Sequence, residues 1–219
     1  MTYPITISNG YTIIDIAGQK FLLDTGLRRS ISAVNGLFVI TIEEREFGLL
    51  LYPLLADQLK TATGLPVVGI IASDVLNAFG GIECDLENGT ATFGSTEEKE
   101  GIVVPFEEPN DYHFHVKVNG KEALGLFDVG APKPMIDNHA LLDETLYEGQ
   151  VDEPSTTGNI ETAQYGGTLE FGGVTRTVHM LKSVRDMMRD GISDLYFGIS
   201  SFAEKYYAID LMRQEIRFL

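Results

Sequence analysis

Two short stretches of this 219-residue chain set a carboxylate on a sharp backbone turn: Asp24-Thr25-Gly26 and Asp128-Val129-Gly130. A lone Asp-x-Gly occurs in loops of every kind and carries no chemistry by itself. Here there are two copies, 104 residues apart, each preceded by a strand-like run, Phe21-Leu22-Leu23 and Gly125-Leu126-Phe127. Duplicated elements related by a twofold axis would bring the two carboxyls face to face. Like charges that close cannot both ionise cheaply, so such a pair shares one proton. It then offers a base for a bound water and an acid for the substrate in a single site. That chemistry is hydrolysis.

The elements that must position these residues repeat as well. Thr12-Ile13-Ile14-Asp15-Ile16, Phe38-Val39-Ile40-Thr41-Ile42, Ile102-Val103-Val104 and His115-Val116-Lys117-Val118 are short runs rich in β-branched residues, bounded by Gly, Asn or Pro as strands are. Ala17-Gly18-Gln19, Glu87-Asn88-Gly89-Thr90 and Val118-Asn119-Gly120-Lys121 read as tight hairpin turns. Helical signals are brief: Leu54 to Leu59, Ser73 to Phe79, Ser200 to Tyr206 and Ser183 to Arg189. In each half a strand, a glycine turn and a second strand lead into the aspartate. Downstream, Gly69 to Leu76 precedes Ile82-Glu83-Cys84-Asp85-Leu86, and Tyr196 to Phe202 precedes Tyr207-Ala208-Ile209-Asp210-Leu211. Ala72 to Asp85 is 13 residues and Gly198 to Asp210 is 12, so the halves keep step within one position. The expected architecture is all-β with short helices, in two pseudo-twofold-related lobes, 1–98 and 99–219, joined through the polar stretch Ser95-Thr96-Glu97-Glu98-Lys99-Glu100.

Composition narrows the function classes. Sixteen basic residues against 32 acidic ones leave a formal charge of −16, which repels nucleic-acid phosphates and anionic lipid surfaces, so neither is expected as a partner. At 44% hydrophobic residues the chain can fill a core. Cys84, the single cysteine, excludes an internal disulfide and a cysteine zinc cage. The start Met1-Thr2-Tyr3-Pro4-Ile5 has no basic, apolar leader, and Gly48 to Ala56 is too short and too broken by Pro53 to span a bilayer. The expected location is the cytoplasm.

Other residues that could carry chemistry have plainer readings. His113 and His115 share a strand face without a third ligand in view, as surface histidines do. Asn88-Gly89-Thr90 matches a glycosylation sequon, but a hairpin turn accounts for it. Cys84 reads as a buried core residue, Gly172-Gly173 as a turn, Asp74 as a cap for the helix after Ala72, and Tyr206 and Tyr207 as packing aromatics.

The chain resembles the aspartic proteases of the pepsin and retropepsin type over most of its length. Phe21 to Gly26 is similar to the family's Asp-Thr-Gly signature. Gly69 to Leu76 is similar to its second signature, with Ala72 where glycine is usual. The stretch from Phe197 to Phe202, Lys205 to Asp210 and Ile216-Arg217-Phe218 resembles the closing segment of a pepsin C-terminal lobe. The resemblance implies an endopeptidase acting on a peptide or protein substrate. Asp24 and Asp128 would be catalytic through a shared water, with Thr25, Gly26, Val129 and Gly130 supporting the loops and neither cofactor nor metal. It also implies a monomer, with Tyr3 to Ser8 and Glu215 to Leu219 in one sheet beneath the lobes.

The sequence departs from the pattern further, in its aspartate loops and its flap. Val129 lacks the hydroxyl that braces the family's second loop, while Thr25 is expected to accept from the Val129 N–H and donate to the Phe127 carbonyl. Val129→Thr is therefore expected to raise stability, by pairing a Thr25 N–H and a Leu23 carbonyl otherwise left open. Leu27 and Ala131 follow the two glycines. Two stretches compete as the flap: Phe38 to Tyr52, with Glu43-Glu44-Arg45-Glu46 at its tip, and Thr156 to Ile160 with Tyr165 to Gly173. A peptidase, a catalytically impaired pseudo-protease that binds extended peptides between the lobes, and a duplicated β-scaffold with an unrelated role all fit these residues.

Overall fold

The computed structural model describes residues 1–94, 99–107, 112–155, 158–183 and 193–219. The expected linker at 95–98, most of the helix expected over Ser183 to Arg189, and the tip of the second flap stretch at 156–157 lie outside them.

The first half opens with β1 (Thr2–Ser8), β2 (Tyr11–Ile16) and β3 (Gln19–Leu23), paired antiparallel in succession. Their turns, Asn9-Gly10 and Ala17-Gly18, hold both residues at positive φ, the geometry that matches strand twist in two-residue hairpins. Then come β4 (Ile31–Ser32), β5 (Val39–Ile42), β6 (Arg45–Gly48), β7 (Leu50–Leu51), a 3₁₀ turn at Pro53–Leu55, α1 (Ala56–Thr63), β8 (Gly69–Ile71), α2 (Ser73–Phe79), β9 (Gly81–Asp85) and β10 (Thr90–Phe93). Both helices stop at a left-handed glycine, Gly64 and Gly80.

The second half repeats the plan with β11 (Ile102–Pro105), β12 (His113–Val118), β13 (Lys121–Phe127) and β14 (Met135–Ile136). Two 3₁₀ turns lead to β15 (Tyr147–Ser155), β16 (Gly158–Phe171) and β17 (Val174–Lys182), and then to β18 (Leu195–Phe197), β19 (Tyr206–Asp210) and β20 (Glu215–Phe218). β3 runs parallel to β8 as β13 does to β18. β4 is antiparallel to β8 and parallel to β7, as β14 is to β18 and β17. A β12–β16 pairing closes the second half into a barrel.

One sheet joins the halves in the order β11-β20-β19-β9-β10-β1. Its centre is the antiparallel β9–β19 pair, Asp85 opposite Tyr206 through Gly81 opposite Asp210. Outward from that centre each half contributes a hairpin and then its own first strand, which is the signature of a pseudo-twofold axis. The terminal segments β1 and β20 therefore share this sheet, as expected. A continuous apolar core links the halves, from Ile14, Phe21, Leu23 and Ile71 to Phe114, Phe127, Phe171, Phe197 and Phe218. The phenylalanines meet mostly edge to face, the favoured geometry for aromatic quadrupoles.

One expectation is corrected. Ser200 to Tyr206 is not a helix: only a 3₁₀ turn, Ile199–Ser201, forms, and Tyr206 already belongs to β19. The N–H groups of Glu204, Lys205 and Tyr206 donate to the Leu219 carbonyl instead of to a helical turn. The first flap stretch forms the β5–β6 hairpin, but its tip is docked: Glu43 donates its N–H to the Tyr3 hydroxyl at 3.2 Å, and Arg45 binds the Ala78 carbonyl at the far end of α2. No helix among the described residues is long and apolar enough to cross a membrane.

Candidate active site

Asp24 and Asp128 stand one residue beyond the ends of β3 and β13. Each is fixed at the same point of the repeat, the Asp24 N–H donating to the Ile71 carbonyl at 3.0 Å and the Asp128 N–H to the Phe197 carbonyl at 2.8 Å. Leu22, Leu23 and Phe127 behind them are fully buried, so the apolar runs sink the strands and leave the carboxyls at the surface of the core.

The two loops then lock across the axis. The Thr25 hydroxyl donates to the Phe127 carbonyl at 3.0 Å and accepts the Val129 N–H at 3.1 Å. The Gly26 N–H donates to Asp128 Oδ1 at 3.1 Å. Both loop glycines are demanded by contact: a Cβ on Gly26 would stand 2.6 Å from Asp128 Oδ2, and one on Gly130 2.8 Å from Asp24 Cγ. Each loop is thus seated under the opposite carboxyl.

The two carboxyls face each other across the axis closely enough that each acts on the other's ionisation, so the pair binds its first proton more tightly than a lone aspartate does. Burial and then the charge of Asp128 hold Asp24 well above the usual carboxylate range. Burial also raises Asp128, but the N–H groups of Gly130, Gly26 and Thr25 favour its charged form. Asp24 is only 7% exposed, and Asp128 is half-buried. Burial thus favours a proton on the pair, while the loop N–H groups favour keeping one charge there.

The loops are not identical. The Asp24 loop closes through its carboxylate, which accepts the Leu27 N–H at 2.9 Å; the Asp128 carboxylate accepts the Gly130 N–H at 2.8 Å, and that loop also closes through its backbone, the Ala131 N–H donating to the Asp128 carbonyl at 3.0 Å. Val129 has no hydroxyl to return across the axis; it packs into the apolar core.

Three residues near the pair have no mark in the sequence. Ser30 is fully buried, and its hydroxyl donates to Asp74 Oδ1 at 2.6 Å while accepting the Ala72 N–H at 2.9 Å. Asp74 thus ties the start of α2 to the Asp24 loop rather than acting as the N-cap, a position held by Ala72 without a side-chain bond. Tyr11, just past the Asn9-Gly10 turn, is buried near both carboxylates and Glu153, and these with burial raise its hydroxyl far above the usual range, so it stays protonated. Lys133 meets Glu153 of β15 at 2.6 Å, and β15 lies against α1 of the other half. β15 thus crosses to the other half, beside β16, which carries most of the second flap stretch.

The other sequence candidates stay outside the pair. His113 bonds the Ser193 hydroxyl, and His115 pairs with Glu107. Asn88 turns the β9–β10 hairpin against the Asp85 carboxylate. Cys84 is fully buried, its thiol pushed up to about 12 by desolvation.

No protein-family model matches the sequence, and no curated protein matches it. Among solved structures, the aspartic proteinase from Irpex lacteus superposes with a TM-score of 0.54 at 12% identity, covering 99% of this chain and 96% of that one. The Simian Foamy Virus (mac) protease aligns over 41% of this chain and 89% of its own at 16% identity, with a TM-score of 0.31. The fold is that of a bilobal aspartic proteinase.

Proposed function

We propose that this protein is an aspartic endopeptidase built from two lobes, 1–98 and 99–219, with Asp24 and Asp128 as its catalytic pair. The observation that supports it best is that equivalent strand ends of a duplicated fold deliver two carboxyls to one place, each against the glycine of the opposite loop. Asp128, charged and steadied by backbone N–H groups, is the base that takes a proton from a water as its oxygen attacks the peptide carbonyl. Asp24, protonated in its buried position, donates to the carbonyl oxygen as the tetrahedral intermediate forms. Collapse returns a proton to the leaving amine and restores the shared-proton pair. Thr25, Gly26 and Gly130 hold the two carboxyls in register, which matters because misplacement by 1 Å can cost about 100-fold.

The test is cleavage of an unfolded protein and of a peptide mixture by the native chain, Asp24→Asn, Asp128→Asn and the double variant. Cleavage with a bell-shaped pH profile, lost in each single variant, is the expected result. Undiminished cleavage by the double variant would refute the assignment. Peptides bound but never cut by the native chain would make it a peptide-binding pseudo-protease.

A further inference from the structure

Among the described arginines, Arg29, Arg45, Arg176, Arg213 and Arg217 each reach an acceptor: Asp74, the Ala78 carbonyl, Glu204, Asp210 and Glu215. Arg28 is the exception. It is exposed and has no partner among the described residues, in a chain with two acidic residues for every basic one. In so acidic a protein a free guanidinium is the uncommon case, since neighbouring carboxylates should neutralise it.

Its place in the fold gives that exception a meaning. Arg28 lies two residues beyond Gly26, whose exposed backbone abuts the Asp128 carboxylate. Consecutive Cα atoms are about 3.8 Å apart, so the Arg28 backbone stands within roughly 8 Å of Gly26. An extended peptide advances about 3.3 Å per residue, so the Arg28 backbone stands no farther from Gly26 than a peptide residue two or three places from a bond cut at the pair. The pseudo-equivalent position after Asp128 is Pro132, and the next cation, Lys133, is already neutralised by Glu153. The free positive charge is therefore on the Asp24 side alone.

We infer that Arg28 is a specificity-determining residue selecting peptides with an acidic side chain two or three places from the scissile bond, on one side of it. The inference rests on the peptidase reading above. Arg pairs with carboxylates through two parallel N–H···O bonds, and the local cation offsets the repulsion that the −16 chain exerts on an acidic peptide.

The experiment uses peptides of one sequence in which Glu or Gln is scanned through the three positions on each side of the cut. Each is also made with the scissile amide reduced, for binding by fluorescence anisotropy. With the native protein, Glu should outrun Gln in kcat/KM by roughly three- to tenfold at one position, the scale of an exposed charge pair with good geometry. The ratio should fall towards one in Arg28→Gln, invert in Arg28→Glu, shrink at high salt, and vanish below about pH 4, where the substrate Glu is protonated. Cleavage without any Glu preference, unchanged in Arg28→Glu, would overturn this inference and leave the peptidase reading standing. Tighter binding of uncut Glu peptides, reversed in Arg28→Glu, would uphold the selectivity and defeat the peptidase reading. Neither cleavage nor binding would defeat both.

Discussion

Thr25 makes two buried hydrogen bonds across the pseudo-twofold axis, while the side chain opposite it, Val129, makes none. Thr25→Val keeps the volume and strands the Phe127 carbonyl and Val129 N–H, so stability should fall by about 2–6 kcal/mol, at 1–3 kcal/mol for each orphaned group. Thermal melts read this directly, and Thr25→Ser should recover most of it. Burial of Val129 argues against the gain expected for Val129→Thr: in the apolar core, a new hydroxyl enters a site shaped for a methyl group. A loss of about 1 kcal/mol is expected, or about 2–4 °C for a chain of this size. A higher melting point would mean that the Leu23 carbonyl had been waiting for a donor. At this scale the sequence showed the aspartates because they repeat. It hid Ser30 and Tyr11, because their roles come from burial beside the pair, and nothing in residue type records burial.

Among the elements, α2 is the one whose placement decides the Asp24 loop. Its first N–H groups and the preceding Ala72 are held by Ser30, Asp74 and the Leu27 carbonyl, which accepts both the N–H and the hydroxyl of Ser73. Ser30→Ala leaves the buried Ala72 N–H open and removes a donor from Asp74, so a loss of about 2–3 kcal/mol is expected in chemical denaturation. A loss below about 0.5 kcal/mol would show that the loop holds α2 by packing alone. The hairpins at Gly18, Asn88-Gly89 and Asn119-Gly120 were legible because turn chemistry is local, and each has a left-handed glycine where expected. The β5–β6 tip was not, since Glu43 and Glu44 take positive φ, a conformation their residue type disfavours, and tertiary bonds to Met1 and Tyr3 hold it. The helix expected after Ser200 failed for a related reason: the distant Leu219 carbonyl claims its N–H groups.

For the molecule as a whole, the pseudo-twofold sheet forces two acids into contact, and stability must record the cost. Both carboxyls hold their protons more tightly folded than unfolded, chiefly through burial. Below the ordinary Asp value, about 3.9, both states are protonated and the pair contributes nothing. As pH rises past that value the unfolded chain releases protons that the folded pair retains. Stability from this pair is therefore lost with rising pH until the folded pair has ionised too. Asp24→Asn removes that loss while keeping an acceptor for the Leu27 N–H, so it should melt higher than the native protein at pH 7, with the gap closing near pH 3.5. Equal melting points at both pH values would contradict it. The duplication behind this was legible because both halves keep their spacing. The reach of β15 over α1 was not, because it depends on how a long hairpin packs across the halves. The central claim, that Asp24 and Asp128 share one proton, is tested most directly by following the aspartate carboxyl carbons by NMR as pH is varied. The pair should titrate together, both steps above the ordinary value and the second well above it, with Asp128→Asn collapsing them to one. Two independent transitions near 3.9 would contradict it.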